Sequence, residues 1–419
     1  MNKHKIVIKS LENSPRLDYT LDFIFKEFFD CEYSVIDEQS STLSHLNYGV
    51  EGDVGSINLS CSKYLFSDAL IPSKNILKVA SPDFDLLAMI FFQLSRAEEY
   101  HHQSEDAFNR FTSQQAILQE NLSKPIIDLE LIKLAAEIQS RFEIQLKRKE
   151  SFRLIHTVDV DQVFAYKHKN LKRTLGGTVA NVLKGNVTRL KDRTKSMSDG
   201  SDPYDTFELL KQGAQTGSSY YFILVGNYDE IDNALDIEKP AIQSKLLDLQ
   251  KSAHIGVHPS VQSNQKLDLL DKEIGRLQSV IDAPISISRQ HFLCLRFPQT
   301  YQELIRRGIS EDFSLGYHDH PGFRAGTTQS FYWYDLEHEE KTSLLIHPLI
   351  VMDVSLKKYQ KLSAIEAGHQ IKAYMDLCKS VDGPFTLLWH NSSFYEEEGW
   401  TGWKETYQDI INYCQELLA

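Results

Sequence analysis

The sequence has 419 residues, of which 42% are hydrophobic and 25% are charged, and its formal net charge is −13. This composition is typical of a globular protein rather than a disordered chain, and the length suffices for two or three domains. The negative charge argues against general affinity for nucleic acid or for an anionic membrane. No stretch resembles the apolar core of a signal peptide or a membrane span, so we expect a cytoplasmic protein without a transmembrane segment.

The first 150 residues predict a small N-terminal α/β domain. "KIVIKS" (5–10) has the alternation of a strand, and "LDYTLDFIFKEFF" (17–29) has the period of a helix. Further helices are predicted within "DFDLLAMIFFQLSRAEEYHH" (83–102) and "LELIKLAAEIQSRFEIQLKRK" (129–149). The basic end of the last segment suits a helix C-terminus that leads into a linker. We therefore place the domain boundary near residue 150.

Residues 151–419 change to short apolar segments that alternate with helical stretches. The predicted strands are "FRLIHTVD", "SYYFILVG", "HIGVH", "ISISRQH", "FSLGY", "LLIHPLIVMDV" and "FTLLWH". About seven strands in this pattern favour a distorted (β/α) barrel over an open doubly wound sheet. The fold class predicted for the whole chain is therefore α/β, with a barrel (151–419) preceded by the smaller domain (1–150). No glycine-rich nucleotide-binding loop is present.

Two charged segments allow both a structural and a functional interpretation. Nine lysines and arginines, with Asp192 as the one acid, lie between Lys167 and Lys195 in a predicted insertion (165–218). This insertion is either a solvated surface or a site for an anionic substrate or partner. The N-terminal charged residues between Arg96 and Arg110 have the spacing of an ion-pair network, which we expect to pack against the barrel. Substrate capture is the alternative for these N-terminal residues.

Polar residues stand at the predicted ends of several strands. Asp159 and Asp161 share one face of a strand, about 6 to 7 Å apart, because side chains alternate along a strand. Two carboxylates at the end of a buried strand are costly unless they hold a cation or have separate roles, such as base and ligand. A capping or turn pair is the alternative. His258 ends the predicted strand "HIGVH" and would lie at the barrel mouth.

Two further strand ends add to this pattern. Arg289 and His291 share a face at the end of "ISISRQH", and His390 ends the last strand. A single histidine at such a position is usually a hydrogen-bonded core residue. Several polar strand ends in series predict a functional site, because the carboxyl ends of barrel strands meet at one face.

The series of strand-end motifs resembles the metal-dependent polysaccharide deacetylases, the family that includes chitin and peptidoglycan deacetylases. "TVDVD", "HPSVQ", an arginine segment and "LLWH" follow the order of that family's motifs. Four longer stretches are similar to a bacterial branch with an extra N-terminal domain: "LSRAEEYHHQSEDAFNRF", "SRQHFLCLRFPQTYQELIRRGI", "LGYHDHPGFRAGT" and "LLWHNSSF". The resemblance implies a distorted barrel, a divalent metal that is usually zinc, and hydrolysis of an N-acetyl or O-acetyl group on a sugar.

The resemblance also assigns roles to catalytic residues. Asp159 matches the family's general base, and His390 matches the histidine proposed as general acid. Arg289 stands at the arginine that orients the base, and Arg296 is the alternative for that role.

The metal ligands follow the family pattern only in part. Asp161 and His258 match metal-binding residues, but Val160 separates two acids that are adjacent in the family, which leaves an exchange of base and ligand open. Gln262 stands where the family has its second metal histidine. His291 is our candidate for the missing nitrogen, with a structural role as the alternative.

Four residues form the predicted substrate-binding set. Arg324 in "HPGFRAGT" is predicted to bind a carboxylate or phosphate bidentately, unless it is a buried arginine that holds its loop. Tyr317 and Trp389 are predicted to stack on a sugar ring, and Asp335 completes the set. The expected substrate is an acetylated sugar, a glycan, or a nucleotide- or lipid-linked sugar precursor, whose phosphates would suit the basic insertion.

Two other functions remain open at this point. A barrel that has lost a metal ligand at Gln262 would bind a glycan without hydrolysing it. The same scaffold would also allow hydrolysis of a different amide, such as a ureide, because a fold does not fix the substrate.

Overall fold

The computed structural model describes residues 5–51, 53–104, 106–169, 187–198, 200–227, 231–232, 234 and 236–419. Within these ranges the strands form two sheets, and the predicted α/β fold class is confirmed. Much of the predicted basic insertion (residues 170–186) lies outside the described ranges. No helix in the described part of the chain is both long and apolar enough to cross a membrane.

The smaller sheet lies in the N-terminal part of the chain and is parallel throughout. In the described residues its order is β2-β1-β3-β4, with β1 Lys5–Ser10, β2 Glu32–Ile36, β3 Leu46–Tyr48 and β4 Ile57–Leu59. β1 is the predicted "KIVIKS" strand. The α-helices of this part are Pro15–Asp22, Lys74–Leu77, Leu86–Ser95 and Ile126–Phe142, and the first continues as a π-helix over Phe23–Phe28. The predicted helices are therefore present, although the second is shorter than its sequence pattern.

The larger sheet is a curled half-barrel of nine strands within the described residues, consistent with the predicted distorted barrel. Its order is β10-β11-β9-β8-β7-β6-β5-β13-β12, and all neighbours are parallel except β10 and β11. The strands are β5 Leu154–Val160, β6 Gly217–Leu224, β7 His254–His258, β8 Ile287–Ser288, β9 Glu311–Asp312, β10 Phe331–Asp335, β11 Glu340–Ile346, β12 Val351–Met352 and β13 Phe385–His390. The helices are Val187–Ser198, Phe207–Leu210, Pro240–Gln250, Leu267–Ile281, Gln299–Arg306, Ala364–Ser380 and Trp403–Leu418.

β5 is the central strand on which the site is built. All seven of its residues are buried, which agrees with a parallel strand covered on both faces. β13 and β6 flank it, and the register places His390 opposite Asp159. The carboxyl ends of β5 and β13 therefore lie side by side.

The sheet differs from the prediction in its edge strands. The sequence segment "LLIHPLIVMDV" is not one strand, because Pro348 lacks a backbone N–H and separates β11 from β12. "FSLGY" follows β9 instead of forming a strand, and β10 had not been predicted. β10 pairs with β11 as an antiparallel hairpin, a local pairing that an α/β alternation does not predict.

The segment before residue 150 is not a free linker. The helix ends at Phe142, where Glu143 adopts a left-handed conformation (φ 57°). Arg148 then pairs with Asp128 (2.8 Å) and donates to the carbonyl oxygen of Val381 (2.7 Å). Its guanidinium also lies 4.3 Å from the ring centroid of Phe28. The basic end of the predicted helix is therefore used to attach the N-terminal part to the barrel.

The two sheet regions share a continuous core. The ring centroids of Tyr19 and Tyr334 are 4.9 Å apart, and Arg16 pairs with Glu339 at 2.6 Å. Glu99 is buried between Arg96 (2.8 Å) and the barrel residue Arg324. The expected ion-pair network against the barrel is thus present, and the division at residue 150 stays a prediction about folding units.

Candidate functional site

The polar strand ends predicted from the sequence meet at one edge of the larger sheet. A cavity of about 340 Å³ opens there between the strand ends and the following loops. Five predicted residues line it: Asp159, Asp161, His258, His291 and His390. Arg289 is fully buried beside Asp159. The structure therefore brings together every residue that was predicted to be catalytic or metal-binding.

Three of these side chains form a possible metal-binding cluster. One ligand atom each of Asp161, His258 and His291 lies within 4.8 Å of the others. Asp161 Oδ1 is 3.5 Å from His258 Nε2 and 3.6 Å from His291 Nε2. In the described part of the chain, Asp161 Oδ1 and His258 Nε2 are buried without a hydrogen-bond partner. These two atoms face each other at 3.5 Å without a hydrogen bond, so their burial is compensated only in part. Two imidazoles with one carboxylate are a donor set that fits a divalent metal.

The histidines of this cluster are oriented through their other ring nitrogens. His258 Nδ1 is 2.6 Å from the carbonyl oxygen of Arg289, and His291 Nδ1 is 2.7 Å from Asp232 Oδ1. These bonds direct each Nε2 toward Asp161, as outer partners commonly do for metal ligands. Asp232 was missed from the sequence, where it is one of several acids after β6. Gln262, by contrast, is exposed in a turn, and His291 is the second histidine of the cluster.

The carboxylates and imidazoles of the cluster stabilise each other's charged forms. Burial alone would raise the pKa of Asp161, but the imidazoles of His291, His258 and His390 bring it below its ordinary range. Burial would likewise lower the pKa of His258, yet Asp159 and Asp161 raise it. The mutual attraction of these groups keeps charge in a buried site, where an isolated ion would be neutralised.

Asp159 lies beside both the cluster and a buried arginine. Its Oδ2 is 3.6 Å from His258 Nε2, and its Oδ1 is 3.6 Å from an Nη atom of Arg289. Burial lowers the pKa of Arg289, which the charges of Asp159 and Asp312 partly oppose. The guanidinium lies 4.8 Å from the ring centroid of Phe222. This contact holds the arginine beneath the carboxylate.

His390 is paired with an acid that the sequence did not reveal. Asp353 accepts the backbone N–H of His390 at 2.8 Å, and its other oxygen is 2.8 Å from Nδ1 of the imidazole. Burial would lower the pKa of His390, but Asp353, helped by Asp161 and Asp159, raises it to about 9. Asp353 follows β12, and its position one residue after "VM" is the only sequence signal for this role.

Arg324 and Tyr317, predicted to bind substrate, lie away from the cavity. Arg324 is 3% exposed, pairs with Glu99 through two nitrogens, and donates to the carbonyl oxygen of Gly316 at 2.7 Å. Tyr317 is 3% exposed and its ring stacks on Phe111. The structure corrects the first assignment in favour of the alternative, a buried arginine that holds its loop.

Trp389 and Asp335 also lie elsewhere. Trp389 precedes His390 on β13, so its side chain points to the other face, where it is fully buried against Trp403 and Tyr407. Asp335 is 3% exposed at the end of β10 and accepts a hydrogen bond from Gln302. Neither position is compatible with contact to a ligand in this cavity.

The rest of the cavity is lined by residues outside the predicted substrate-binding set. The rest of the lining consists of Arg110, Phe292, Leu293, Met352, Val354, Lys358, Tyr359, Ser392, Ser393, Glu398 and Trp400. Phe292 and Tyr359 are exposed by 37% and 42%, which is high for aromatic side chains. Most of these residues lie in loops that follow strand ends. The sequence signal that could have found them is the general rule that loops at the carboxyl face of a barrel carry function.

A second cavity, of about 620 Å³, lies at the amino ends of the strands. Its lining includes Gly217, Tyr220, His254 and Glu311. Among the described residues no second group of three metal-ligand side chains is found. The larger cavity is therefore not where the predicted chemistry lies.

Comparison with known proteins gives limited matches. Residues 6–143 match the model of a family of unknown function, DUF7033. No curated protein matches the sequence. The fold is similar to the crystal structure of a "putative polysaccharide deacetylase from Mycobacterium smegmatis", with 14% identity and a TM-score of 0.39 over 63% of this chain and 84% of that one. It is also similar to Puue allantoinase, with 11% identity and a TM-score of 0.37 over the same shares. The family match covers only the N-terminal third of the chain.

Proposed function

We propose that this protein is a metal-dependent hydrolase that removes an acetyl group from an acetylated sugar. The observation that carries the proposal is the grouping of Asp161, His258 and His291 in the cavity that also contains Asp159 and His390. Three protein ligands with further room in the cavity are typical of catalytic rather than structural metal sites. We expect zinc, for which two histidines and one carboxylate are a common donor set.

The metal would supply Lewis acidity, polarising an acetyl carbonyl and lowering the pKa of water. Asp159 is suited to accept the proton of an attacking water, because its carboxylate borders the cluster without belonging to the three ligands. The buried guanidinium of Arg289, 3.6 Å from this carboxylate, is suited to orient it.

His390 is suited to give a proton to the leaving group. Its imidazole lines the cavity, and the carboxylate of Asp353 raises its pKa to about 9. It is therefore protonated at neutral pH and able to act as a general acid. The pairing of His390 with Asp159 across adjacent strands supports these two roles, because it brings both side chains to the same rim.

The sugar in this proposal rests on the sequence stretches that resemble the deacetylases. The partly exposed rings of Phe292 and Tyr359 at the cavity support it, because aromatic faces are suitable surfaces for sugar rings. A nucleotide- or lipid-linked precursor remains our preferred form of the sugar. Equal rates on a neutral and a phosphorylated acetyl sugar would count against that preference.

Metal analysis of purified protein is the first test. We expect about one equivalent of zinc in the wild type, and loss of it in Asp161→Ala, His258→Ala and His291→Ala, because three ligands are needed to hold the ion. His254→Ala is the matched control, since His254 lies on the same strand as His258 but at its opposite, exposed end.

Activity is measured next as acetate release from a panel of acetylated sugars, with allantoin as a ureide control. Acetate release that follows zinc content supports the proposal. Tight sugar binding by a protein that takes up no zinc would instead favour a glycan-binding barrel. Turnover of the ureide alone would keep the metal site and change the substrate.

A further inference from the structure

The backbone that follows His291 has an unfavourable conformation. Phe292 (φ 56°, ψ 14°) and Leu293 (φ 57°) both occupy the left-handed region. Residues other than glycine rarely adopt this region, and two in succession persist only when their surroundings hold them. The contacts that hold Phe292 therefore also determine where the preceding imidazole is placed.

One of these contacts comes from an aromatic ring in the N-terminal part of the chain. Phe108 stacks on Phe292, with ring centroids 4.6 Å apart and an interplanar angle of 15°. The ring of Phe292 in turn lies 4.2 Å from that of His291, at 34°. A row of three rings thus connects the N-terminal segment with a residue of the metal-binding cluster.

Arg110 adds a polar contact to the same backbone. Its guanidinium donates to the carbonyl oxygen of Phe292 at 3.2 Å and to the hydroxyl of Tyr359 at 3.1 Å. Two charge-assisted bonds to Asp106, of 2.9 and 2.8 Å, fix the orientation of this guanidinium. It also lies 5.1 Å from the ring centroid of Phe108. Phe108 and Arg110 therefore both contact Phe292 from one short segment, the first at its ring and the second at its carbonyl oxygen.

We propose that Phe108 and Arg110 position the third metal ligand, His291, so that the N-terminal segment is part of the metal centre. The inference rests on the proposed function, because it assumes that His291 holds a metal. Both are positioning residues. Asp232 directs the ring through Nδ1, whereas Phe108 and Arg110 hold the backbone that carries it. This would give the segment matched by the family of unknown function a role in the chemistry of the barrel.

The test is the zinc affinity of full-length variants, measured by competition with a chromophoric chelator. Phe108→Ala removes the stacked ring, and Arg110→Lys keeps the charge but loses the fork that reaches both Asp106 and Phe292. We expect affinity about 10- to 100-fold weaker than in the wild type, the effect typical of lost outer-shell support. The visible spectrum of the cobalt-substituted protein should change as well, because the ligand field depends on the placement of His291.

Two matched controls lie in the same N-terminal part. Phe142→Ala removes a partly buried ring that packs against a histidine outside the cluster, His45, at 4.8 Å. Arg141→Lys alters an arginine that, like Arg110, pairs with an acid four residues earlier and donates to a distant carbonyl, that of Ser56. Both controls should keep wild-type affinity and spectrum.

The outcomes separate the two proposals. Wild-type affinity and an unchanged cobalt spectrum in both variants would overturn the positioning role while leaving the metal centre in place. A wild type that binds no zinc would overturn the metal centre and this inference together. Circular dichroism checks folding, and if Phe108→Ala does not fold, the result for Arg110→Lys decides.

Discussion

Two groups of histidines and acids lie inside the larger sheet, and they differ in how their polar atoms are used. Beside Glu311, the first residue of β9, His347 has both ring nitrogens bonded, one to Glu311 at 2.8 Å and one to Ser330 at 2.8 Å. At the carboxyl ends, His258 has one nitrogen bonded, while the other is buried without a hydrogen-bond partner among the described residues. Residue types alone therefore do not distinguish a structural histidine–acid pair from a candidate functional site. Buried polar atoms without a hydrogen bond do distinguish them.

The largest effect on kcat is expected from a change at Asp159, in the group at the carboxyl ends of the strands. Asp159→Asn should lower kcat by about 10²- to 10⁴-fold, the usual contribution of a general base, while zinc content stays at the wild-type level. Steady-state kinetics with metal analysis measure both quantities. Glu311→Gln, which changes a carboxylate of the other group, is the control and should keep kcat. Loss of zinc in Asp159→Asn would instead show that the roles of the two acids at the end of β5 are exchanged.

Asp353→Asn should have the next largest effect, about 10- to 100-fold on kcat at neutral pH, as for other outer partners of functional histidines. The carboxylate of Asp353 is the main group that raises the pKa of His390, so its removal lowers that pKa. Because a general acid must be protonated, the alkaline limb of the pH–rate profile should move to lower pH. A profile with an unchanged alkaline limb would argue that His390 is not the acid.

The smallest effect is expected in the other group and on stability alone. A hydrogen bond from His347 is the first cause that lowers the pKa of Glu311. A carboxyl group with a depressed pKa stabilises the fold above its unfolded pKa, and this contribution is lost as the pH falls through the folded value. Glu311→Gln should therefore reduce the free energy of unfolding by about 0.5–1 kcal/mol at neutral pH. Denaturant unfolding should show the difference from wild type vanishing in acid, and a difference that persists there would contradict this interpretation.

The grouping of the site residues could be predicted from the sequence because it follows from one rule of parallel sheets. His258 and His390 each end a strand and Asp159 is the last residue but one of β5, and parallel strands bring their carboxyl ends to one edge. Their partners Asp232 and Asp353 could not be predicted from the sequence. Each is bonded to a histidine many residues away in the chain. No local pattern distinguishes Asp232 from the neighbouring acids, and Asp353 has only its place directly after a strand.

The predicted substrate-binding residues show a second reason why the sequence does not reveal the whole site. The sequence pattern around Arg324 predicts that its charge binds a ligand. In the structure that charge is paired with Glu99, which lies more than two hundred residues earlier and is buried where the N-terminal part meets the barrel. Trp389 is adjacent to a site residue and therefore belongs to the opposite face of its strand. The hairpin of β10 and β11 was missed for a different reason, since its antiparallel pairing departs from the α/β alternation on which the prediction rests.

The in-register pairing of β5 with β13 has an evolutionary consequence. The span between Asp159 and His390 is fixed by a ladder of backbone hydrogen bonds, whose strand spacing of about 4.8 Å does not depend on side-chain identity. Insertions or replacements in the surrounding loops therefore leave that span unchanged. Relatives built on the same ladder would be free to diversify in what they accept at the rim while inheriting one span between these two side chains.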